Sequence, residues 1–243
     1  MKLVLSTIVI ITLALLSACG DDASTSEESM GAVFLSLGDS VAAGNGASDP
    51  GAGSFAALAA QDLRLDLENL AVAGKSTQDV IDEQLPEVAA SVRDRQVGLV
   101  TLSAGGNDLA ALIPNASCVE DPLPATCPLE ATLDELAVRL EAILTSLRAA
   151  YPDAPIVLLS YPNFFSGTGH VFEAPAGRVL PRLGQRLGEI AARYDRVAVA
   201  LPSFDGRGGK LTHVLDAVFD PHPNDAGHRI IADAVLEAVA TVE

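Results

Sequence analysis

Residues 32–38, Ala-Val-Phe-Leu-Ser-Leu-Gly, form an almost wholly apolar run that ends in glycine. A short run without polar alternation is typical of a strand that is buried on both faces of a parallel sheet. Segments with helical spacing separate this run from four later ones, and such alternation puts helices on both faces of a sheet. We therefore expect an α/β fold, a three-layer α/β/α sandwich with a five-stranded parallel sheet. The later predicted strands cover residues 68–73, 97–103, 156–160 and 196–201.

The clearest helical segment contains residues 133–147, in which leucine and isoleucine recur at intervals of three and four. This spacing lines the apolar side chains along one face of a helix, and that face packs against the core. No internal repeat interrupts the pattern, so we expect one folded domain. The other predicted helices cover residues 54–65, 76–93, 175–194 and a last helix with an apolar face from Ile230 to Val239.

The charge balance argues against nucleic acid as a partner. The chain has 15 Lys and Arg residues against 32 Asp and Glu residues, a formal net charge of −17. A protein that neutralises phosphates needs a basic surface, and the sequence has no run rich in Lys or Arg. Aromatic residues make up only 4% of the chain and tryptophan is absent. The chain therefore has few side chains on which bases or sugars could stack in a cleft.

The amino terminus has the order of a secretory signal peptide, with Lys2, an apolar stretch and then small residues. The stretch Leu16-Ser17-Ala18-Cys19 resembles the lipobox of bacterial lipoproteins, which implies that Cys19 carries lipid. An ordinary signal peptide that contains a cysteine is the alternative. We expect an exported protein that is lipid-anchored to the extracytoplasmic face of a bacterial membrane. The predicted segments are a signal peptide at residues 1–18, an acidic, serine-rich tether at 19–30 and a folded domain at 31–243.

Two further cysteines, Cys118 and Cys127, lie in a proline-containing segment that is typical of a loop. In an oxidising compartment such a pair is expected to form a disulfide. A metal site is the alternative, but the pair lacks Cys-x-x-Cys spacing and no second pair accompanies it. The sequence therefore predicts a disulfide, and no metal or other cofactor.

Polar and glycine-rich residues follow several predicted strands at the point where each strand ends. In a parallel α/β sheet the carboxyl ends of the strands form one edge, where ligands bind. A further polar segment precedes the last helix. The segments are Gly38-Asp39-Ser40, Ala73-Gly74, Gly105-Gly106-Asn107-Asp108 and Asp220-Pro221-His222-Pro223-Asn224.

Together, in this order, these four segments resemble the SGNH (GDSL) hydrolase family over nearly the whole predicted domain. The resemblance implies a flavodoxin-like hydrolase fold and a serine esterase. It assigns the nucleophile to Ser40, two oxyanion-binding positions to Gly74 and Asn107, and the general base to His222. In the family the acid stands three residues before the histidine, where this chain has Phe219.

The residue types suit the chemistry that the resemblance implies. A serine hydroxyl becomes nucleophilic when a base removes its proton, and histidine has the pKa for that task near neutrality. The backbone N–H groups of Ser40 and Gly74 and the side-chain amide of Asn107 would stabilise the oxyanion. The acid that orients His222 is expected to be Asp220, with Asp216 or a backbone carbonyl as alternatives.

The predicted function is hydrolysis of carboxylic esters or thioesters through an acyl-enzyme on Ser40, with a small-molecule ester or a lipid as substrate. A carbohydrate O-acetylesterase would use the same residues. A third hypothesis is a surface binding lipoprotein whose catalysis is weakened by the displaced acid, because a fold does not by itself guarantee an activity.

Overall fold

The computed structural model describes residues 31–120 and 122–242. The predicted signal peptide, the tether and Cys19 lie outside the described residues. Residues from Gly31 onward form one compact unit. Within the described ranges, no helix combines the length and the apolar character that crossing a bilayer requires.

Five parallel strands form a single sheet, which confirms the predicted α/β class. The strand order is β2-β1-β3-β4-β5, so the chain winds outward from β1 in one direction and then from β3 in the other. This order creates a topological switch point between β1 and β3, where a crevice opens at the carboxyl ends of the strands. The strands are β1 (Val33–Gly38), β2 (Asp66–Asn69), β3 (Val97–Ser103), β4 (Ile156–Leu159) and β5 (Val197–Ala200).

Helices flank this sheet in two groups. One group contains α3 and α10, which pack against each other, and α10 also contacts β4 and β5. In the other group α7 packs against α8 and against the helical segment that follows β2. The helices are α1 (Ser40–Ala43), α2 (Pro50–Gly53), α3 (Phe55–Leu63), α4 (Thr77–Asp79), α5 (Leu85–Val92), α6 (Gly106–Leu109), α7 (Leu129–Ala150), α8 (Glu173–Ala191), α9 (Gly208–Leu211) and α10 (Asp225–Val239).

The second strand is shorter and begins earlier than the predicted strand at residues 68–73. It pairs with β1 from Asp66 to Asn69, at the edge of the sheet. An edge strand has one neighbour and is half exposed, so it need not be apolar, and periodicity alone misplaced it. Beyond Asn69 the chain still runs beside β1, because the N–H of Leu70 donates to Ser36 O and that of Val72 to Gly38 O.

The predicted helix at residues 76–93 is divided into α4, a π-helical turn at Val80–Gln84 and α5. Pro86 stands at the start of α5 and has no N–H to donate to the preceding turn. The π turn brings the buried side chain of Gln84 toward β1. Its amide accepts from Gly38 N at 2.8 Å and donates to Gly38 O at 2.7 Å.

Gly38 is where the end of β1 lies directly against the end of β3. Its φ is +128°, and a Cβ at this position would lie 2.0 Å from the carbonyl oxygen of Ser103. Only glycine permits that approach. The next residue, Asp39, donates its N–H to the same carbonyl at 2.9 Å. The segments that follow β1 and β3 therefore begin side by side.

The predicted disulfide between Cys118 and Cys127 is present, with the two Cα atoms 4.9 Å apart. It closes part of the loop between α6 and α7. Arg178 of α8 donates a hydrogen bond to the carbonyl oxygen of Val119 inside that loop. The disulfide and Arg178 together fix the loop above the carboxyl edge of the sheet.

Candidate active site

Ser40 is the first residue of α1 and directly follows the turn that ends β1. The side chain of Asp39 caps this short helix by accepting from the N–H of Val41 at 3.0 Å. Such a cap fixes the first turn, because the first N–H groups of a helix have no partner within it. Ser40 thereby stands at the switch point between β1 and β3.

His222 lies against Ser40 although 182 residues separate them in the sequence. Its Nε2 is 2.8 Å from Ser40 Oγ, and its Nδ1 is 2.5 Å from Asp220 Oδ1. With a proton on Nδ1 that is donated to the carboxylate, Nε2 is free to accept the proton of the serine hydroxyl. The three side chains thus form a continuous hydrogen-bonded chain.

Among the three groups that the sequence left open as partners of His222, the structure has Asp220 in contact with the ring. Asp220 also accepts the backbone N–H of His222 at 3.0 Å. Burial by itself would raise the pKa of this carboxyl, but the two hydrogen bonds from His222 and the nearby charges of His222 and His213 together lower the pKa below its ordinary value. Asp216 instead contacts Nδ1 of His213 at 2.7 Å.

Asn107 is the second residue of α6, which follows β3, and its side-chain amide donates to Lys75 O at 2.9 Å. This bond occupies one of the two amide hydrogens and leaves the other available to a ligand. Gly74, which precedes Lys75, is exposed and has a φ of +81°. A Cβ there would meet no atom within 4 Å, so the positive φ, rather than steric crowding, favours glycine at this position.

Asp108 joins α6, which follows β3, to the start of α4, which follows β2. It accepts from the N–H of Thr77 at 3.0 Å and from the Thr77 hydroxyl at 2.6 Å, and Arg139 of α7 contacts it at 3.3 Å. Within the described residues the backbone N–H groups of Ser40 and Gly74 donate to no protein acceptor. These two N–H groups and one amide hydrogen of Asn107 therefore have no protein acceptor; Ser40 and Asn107 line the cavity described below, whereas Gly74 is not among its lining residues.

Tyr161, just after β4, is a site residue that the sequence analysis missed. Its hydroxyl donates to Asp39 Oδ2 at 2.5 Å, and the hydroxyl of Ser103 donates to Asp39 Oδ1 at 3.1 Å. Burial raises the pKa of Asp39 to about 6, although these hydrogen bonds oppose the rise. Burial, and then the charge of Asp39, raise the pKa of Tyr161 well above its ordinary value. The signal that could have found Tyr161 is its position at a strand's carboxyl end.

A cavity of about 280 Å³ opens beside Ser40 and His222. Its walls are mostly apolar, and phenylalanine rings from the segment after β4 form one side. The ring of Phe219 lies nearly parallel to those of Phe165 and His170, with centroids 6.3 Å and 5.2 Å away. Apart from Asp39, Ser40, Asn107, Tyr161 and His222, the lining consists of Val41, Gly106, Ala110, Ile113, Pro114, Phe164, Phe165, Phe172, Leu180, Phe219 and Pro221.

Two further histidines support the segments around the site. The ring of His213 contacts Gly46 O at 2.9 Å as well as Asp216, and the hydrogen bonds to Gly46 and then Asp216 raise its pKa. His228, in the first turn of α10, is fully buried. Its Nδ1 accepts from Phe55 N at 3.2 Å, and its Nε2 is 3.0 Å from Asn45 O. It therefore joins the start of α10 to the segments after β1.

Metal ligands are not clustered in the part of the chain that the structure describes. No group of three or more His, Cys, Asp or Glu side chains there could hold a metal ion.

Comparison with known proteins relates these features to a family. Residues 36–230 match the GDSL-like lipase/acylhydrolase family. None of the curated proteins matches the sequence significantly.

Solved structures share the fold at low sequence identity. The phospholipase A1 of Streptomyces albidoflavus NA297 is 22% identical, covers 88% of this chain and 100% of its own, and superimposes with a TM-score of 0.63. The extracellular lipase of Streptomyces rimosus is 20% identical, covers 86% of this chain and 100% of its own, and has a TM-score of 0.62. The acetylxylan esterase Axe2 of Geobacillus stearothermophilus is 18% identical, covers 87% of this chain and 96% of its own, and has a TM-score of 0.56.

We predict that His228 makes the folded state sensitive to acid. Burial lowers its pKa below the ordinary value of 6.5, so below that pH the unfolded chain binds a proton that the folded chain does not. This contribution to the free energy of unfolding is therefore present above pH 6.5 and is lost as the pH falls below it. Urea unfolding at pH 7 and pH 5 measures the loss.

The matched variant is His228→Asn, which keeps an acceptor near the position of Nδ1 but does not titrate. We expect it to be less stable than the wild type at pH 7 and to lose less stability between pH 7 and pH 5. An equal loss in both proteins would contradict the assignment.

Proposed function

The chain belongs to the GDSL-like lipase/acylhydrolase family and is a carboxylic ester hydrolase; we propose that Ser40, His222 and Asp220 are its catalytic triad. The observation that carries this proposal is the 2.8 Å contact between His222 Nε2 and Ser40 Oγ. A nucleophile, a base within hydrogen-bond reach and a third group that orients the base are the parts that nucleophilic catalysis requires.

The proposed reaction begins when Ser40 Oγ attacks the ester carbonyl carbon and His222 Nε2 takes the hydroxyl proton. The negative charge moves to the carbonyl oxygen, where the N–H groups of Ser40 and Gly74 and the free amide hydrogen of Asn107 stabilise it. The C–O bond to the alcohol then breaks, and His222 gives its proton to the leaving oxygen. Water, activated by the same imidazole, attacks the acyl-enzyme and releases the acid.

Asp220 holds the ring of His222 in one tautomer and stabilises the imidazolium that forms during each proton transfer. Its lowered pKa keeps it ionised at neutral pH. Position 219, where the family usually has its acid, is a phenylalanine in this chain, and its side chain lines the cavity. The intact contacts of Ser40, His222 and Asp220 argue against a binding protein with weakened catalysis.

The cavity favours an ester with an aliphatic acyl chain. Its walls next to Ser40 carry phenylalanine, leucine, isoleucine and proline side chains, and burying apolar surface against such walls is favourable. An enzyme specific for acetate would need space for a single methyl group. A carbohydrate O-acetylesterase is the second candidate, and the observation in its favour is the shared fold with an acetylxylan esterase.

We also propose that the protein is exported and held at a membrane by lipid on Cys19. The support is the sequence of residues 1–19, an apolar stretch followed by small residues and cysteine. In this proposal residues 1–18 are removed, residues 19–30 are a solvated tether and residues 31–243 are the hydrolase domain. The disulfide between Cys118 and Cys127 fits an oxidising compartment.

The first prediction for this proposal concerns hydrolysis of p-nitrophenyl esters from acetate to palmitate. We expect kcat/KM to rise by up to about fourfold for each methylene that the cavity buries. The rise should end at the chain length at which further methylenes extend beyond the cavity and are no longer buried. Ser40→Ala should lower kcat by at least about 10³-fold.

The chain-length profile separates the two candidate functions. Highest activity on acetate, with rejection of longer chains, would favour the O-acetylesterase. Equal rates for the wild type and Ser40→Ala would overturn the assignment of the nucleophile.

The second prediction distinguishes the two acids near the site. Asp220→Asn should lower kcat by about 10³-fold or more, because the ring of His222 loses the carboxylate that fixes its tautomer. Asp216→Asn is the matched control, since Asp216 contacts His213 instead. We expect it to change kcat by less than about threefold. A larger effect of Asp216→Asn than of Asp220→Asn would contradict the proposed triad.

The third prediction concerns the anchor. Replacing Cys19 by alanine removes the thiol that would receive the lipid, so a labelled fatty acid supplied to cells that process bacterial lipoproteins should be incorporated into the wild-type protein and not into this variant. Cys118→Ala, which leaves Cys19 intact, serves as the control and should still be labelled. Equal labelling of the Cys19→Ala variant, or no labelling of the wild type, would exclude a lipid anchor at this residue.

A further inference from the structure

Tyr161 touches two of the three segments that supply the proposed oxyanion donors, those of Ser40 and Asn107. Through its hydroxyl it contacts Asp39, the residue before Ser40, at 2.5 Å. Its ring lies against Gly106, the residue before Asn107, where an added Cβ would be 2.9–3.3 Å from three ring atoms. The side chain is buried, with 7% of its surface exposed, so it has little freedom to move away from either loop.

A closed group of hydrogen bonds fixes the hydroxyl end of this contact. Asp39 accepts from Tyr161 on one carboxylate oxygen and from Ser103 on the other, and the two hydroxyl oxygens are 3.3 Å apart. The oxygen that faces Ser103 also accepts the N–H of Val41. The carboxylate therefore connects the carboxyl ends of β1, β3 and β4 to the first turn of α1.

We propose that Tyr161 is a positioning residue, which acts through Asp39 and Gly106 to align the N–H of Ser40 with the amide of Asn107 around the oxyanion. This inference rests on the proposed function. Oxyanion donors act when they lie about 2.7–3.1 Å from the oxygen, and a misplacement of about 1 Å costs on the order of a hundredfold in rate. A rigid ring between the two loops is a direct way to set that spacing.

The ionised form of Asp39 fits this arrangement, because both hydroxyls and a backbone N–H point their hydrogens at its carboxylate. Protonation would require one hydroxyl to turn around and accept. The titratable groups that face Asp39 are Tyr161 and His222, and a positive charge on His222 also favours the carboxylate. Since burial raises the pKa of Asp39 to about 6, loss of the Tyr161 donor should raise that pKa further.

The test compares kcat, KM and the pH dependence of kcat/KM in the purified wild-type protein and in Tyr161→Phe. The change removes the hydroxyl and keeps the ring. We expect kcat to fall about tenfold with KM within about twofold, because the alignment matters in the transition state. We also expect the acidic limb of the pH profile to move to higher pH.

Two further variants complete the design. Tyr194→Phe is the matched control, since it removes a hydroxyl that contacts Thr145 and Glu141 far from the cavity, and it should leave kcat and the pH profile unchanged. In an Asp39→Asn background the Tyr161→Phe change should have little additional effect, because the two residues act as a unit.

The inference is overturned if Tyr161→Phe leaves kcat or the acidic limb of the pH profile unchanged, or if Tyr194→Phe loses as much kcat as Tyr161→Phe. It is also overturned if the effects of Asp39→Asn and Tyr161→Phe on kcat are additive. Thermal unfolding of each variant identifies a loss caused by misfolding, and the Asp39→Asn variant then tests the same hydrogen bond from its other partner. Ser40→Ala separates this outcome from failure of the proposed function. If wild-type hydrolysis depends on Ser40 while Tyr161→Phe is unaffected, only the positioning role fails.

Discussion

The contact of Gly38 with the carbonyl of Ser103 is the constraint on which the site depends. A side chain at position 38 would lie 2.0 Å from that oxygen, so the ends of β1 and β3 can meet only if the residue is glycine. Gln84 holds the same glycine by both its N–H and its carbonyl. Because these ends are fixed side by side, Ser40 and Asn107 emerge at the same edge of the sheet, and His222 completes the arrangement from a distant segment.

Much of the fold could be predicted from the sequence because most of its strands are buried on both sides. β1, β3 and β4 are apolar, and hydrophobic runs of that kind report burial directly. β2 was misplaced because it is a polar edge strand, whose position is set by its register with β1 rather than by its own composition. The helix after β2 was predicted as continuous, and the π turn within it depends on the partner that Gln84 finds in β1.

The candidate site also contains some residues that could be predicted from the sequence and others that could not. Ser40, Gly74, Asn107 and His222 belong to short motifs, so their order in the chain sufficed to select them. The choice between Asp220 and Asp216 depends on how the chain turns before Pro221, which no spacing rule determines. Tyr161 was not predicted because its role depends on a contact with Asp39, which is 122 residues away in the chain. Contacts of this range become visible only when the sheet has been assembled.

The loop between α6 and α7, part of which is closed by the disulfide between Cys118 and Cys127, has a consequence for how the enzyme can diversify. Its first part supplies Ile113 and Pro114 to the cavity wall, yet it contains none of the residues proposed for catalysis. Its two ends are fixed by α6 and α7, and its middle by the covalent bond. Insertions and substitutions in this loop can therefore reshape one part of the cavity wall without replacing any residue proposed for catalysis. The rest of the wall, such as Phe219 and Pro221 beside Asp220 and His222, is tied in sequence to the proposed triad and has less freedom to diverge.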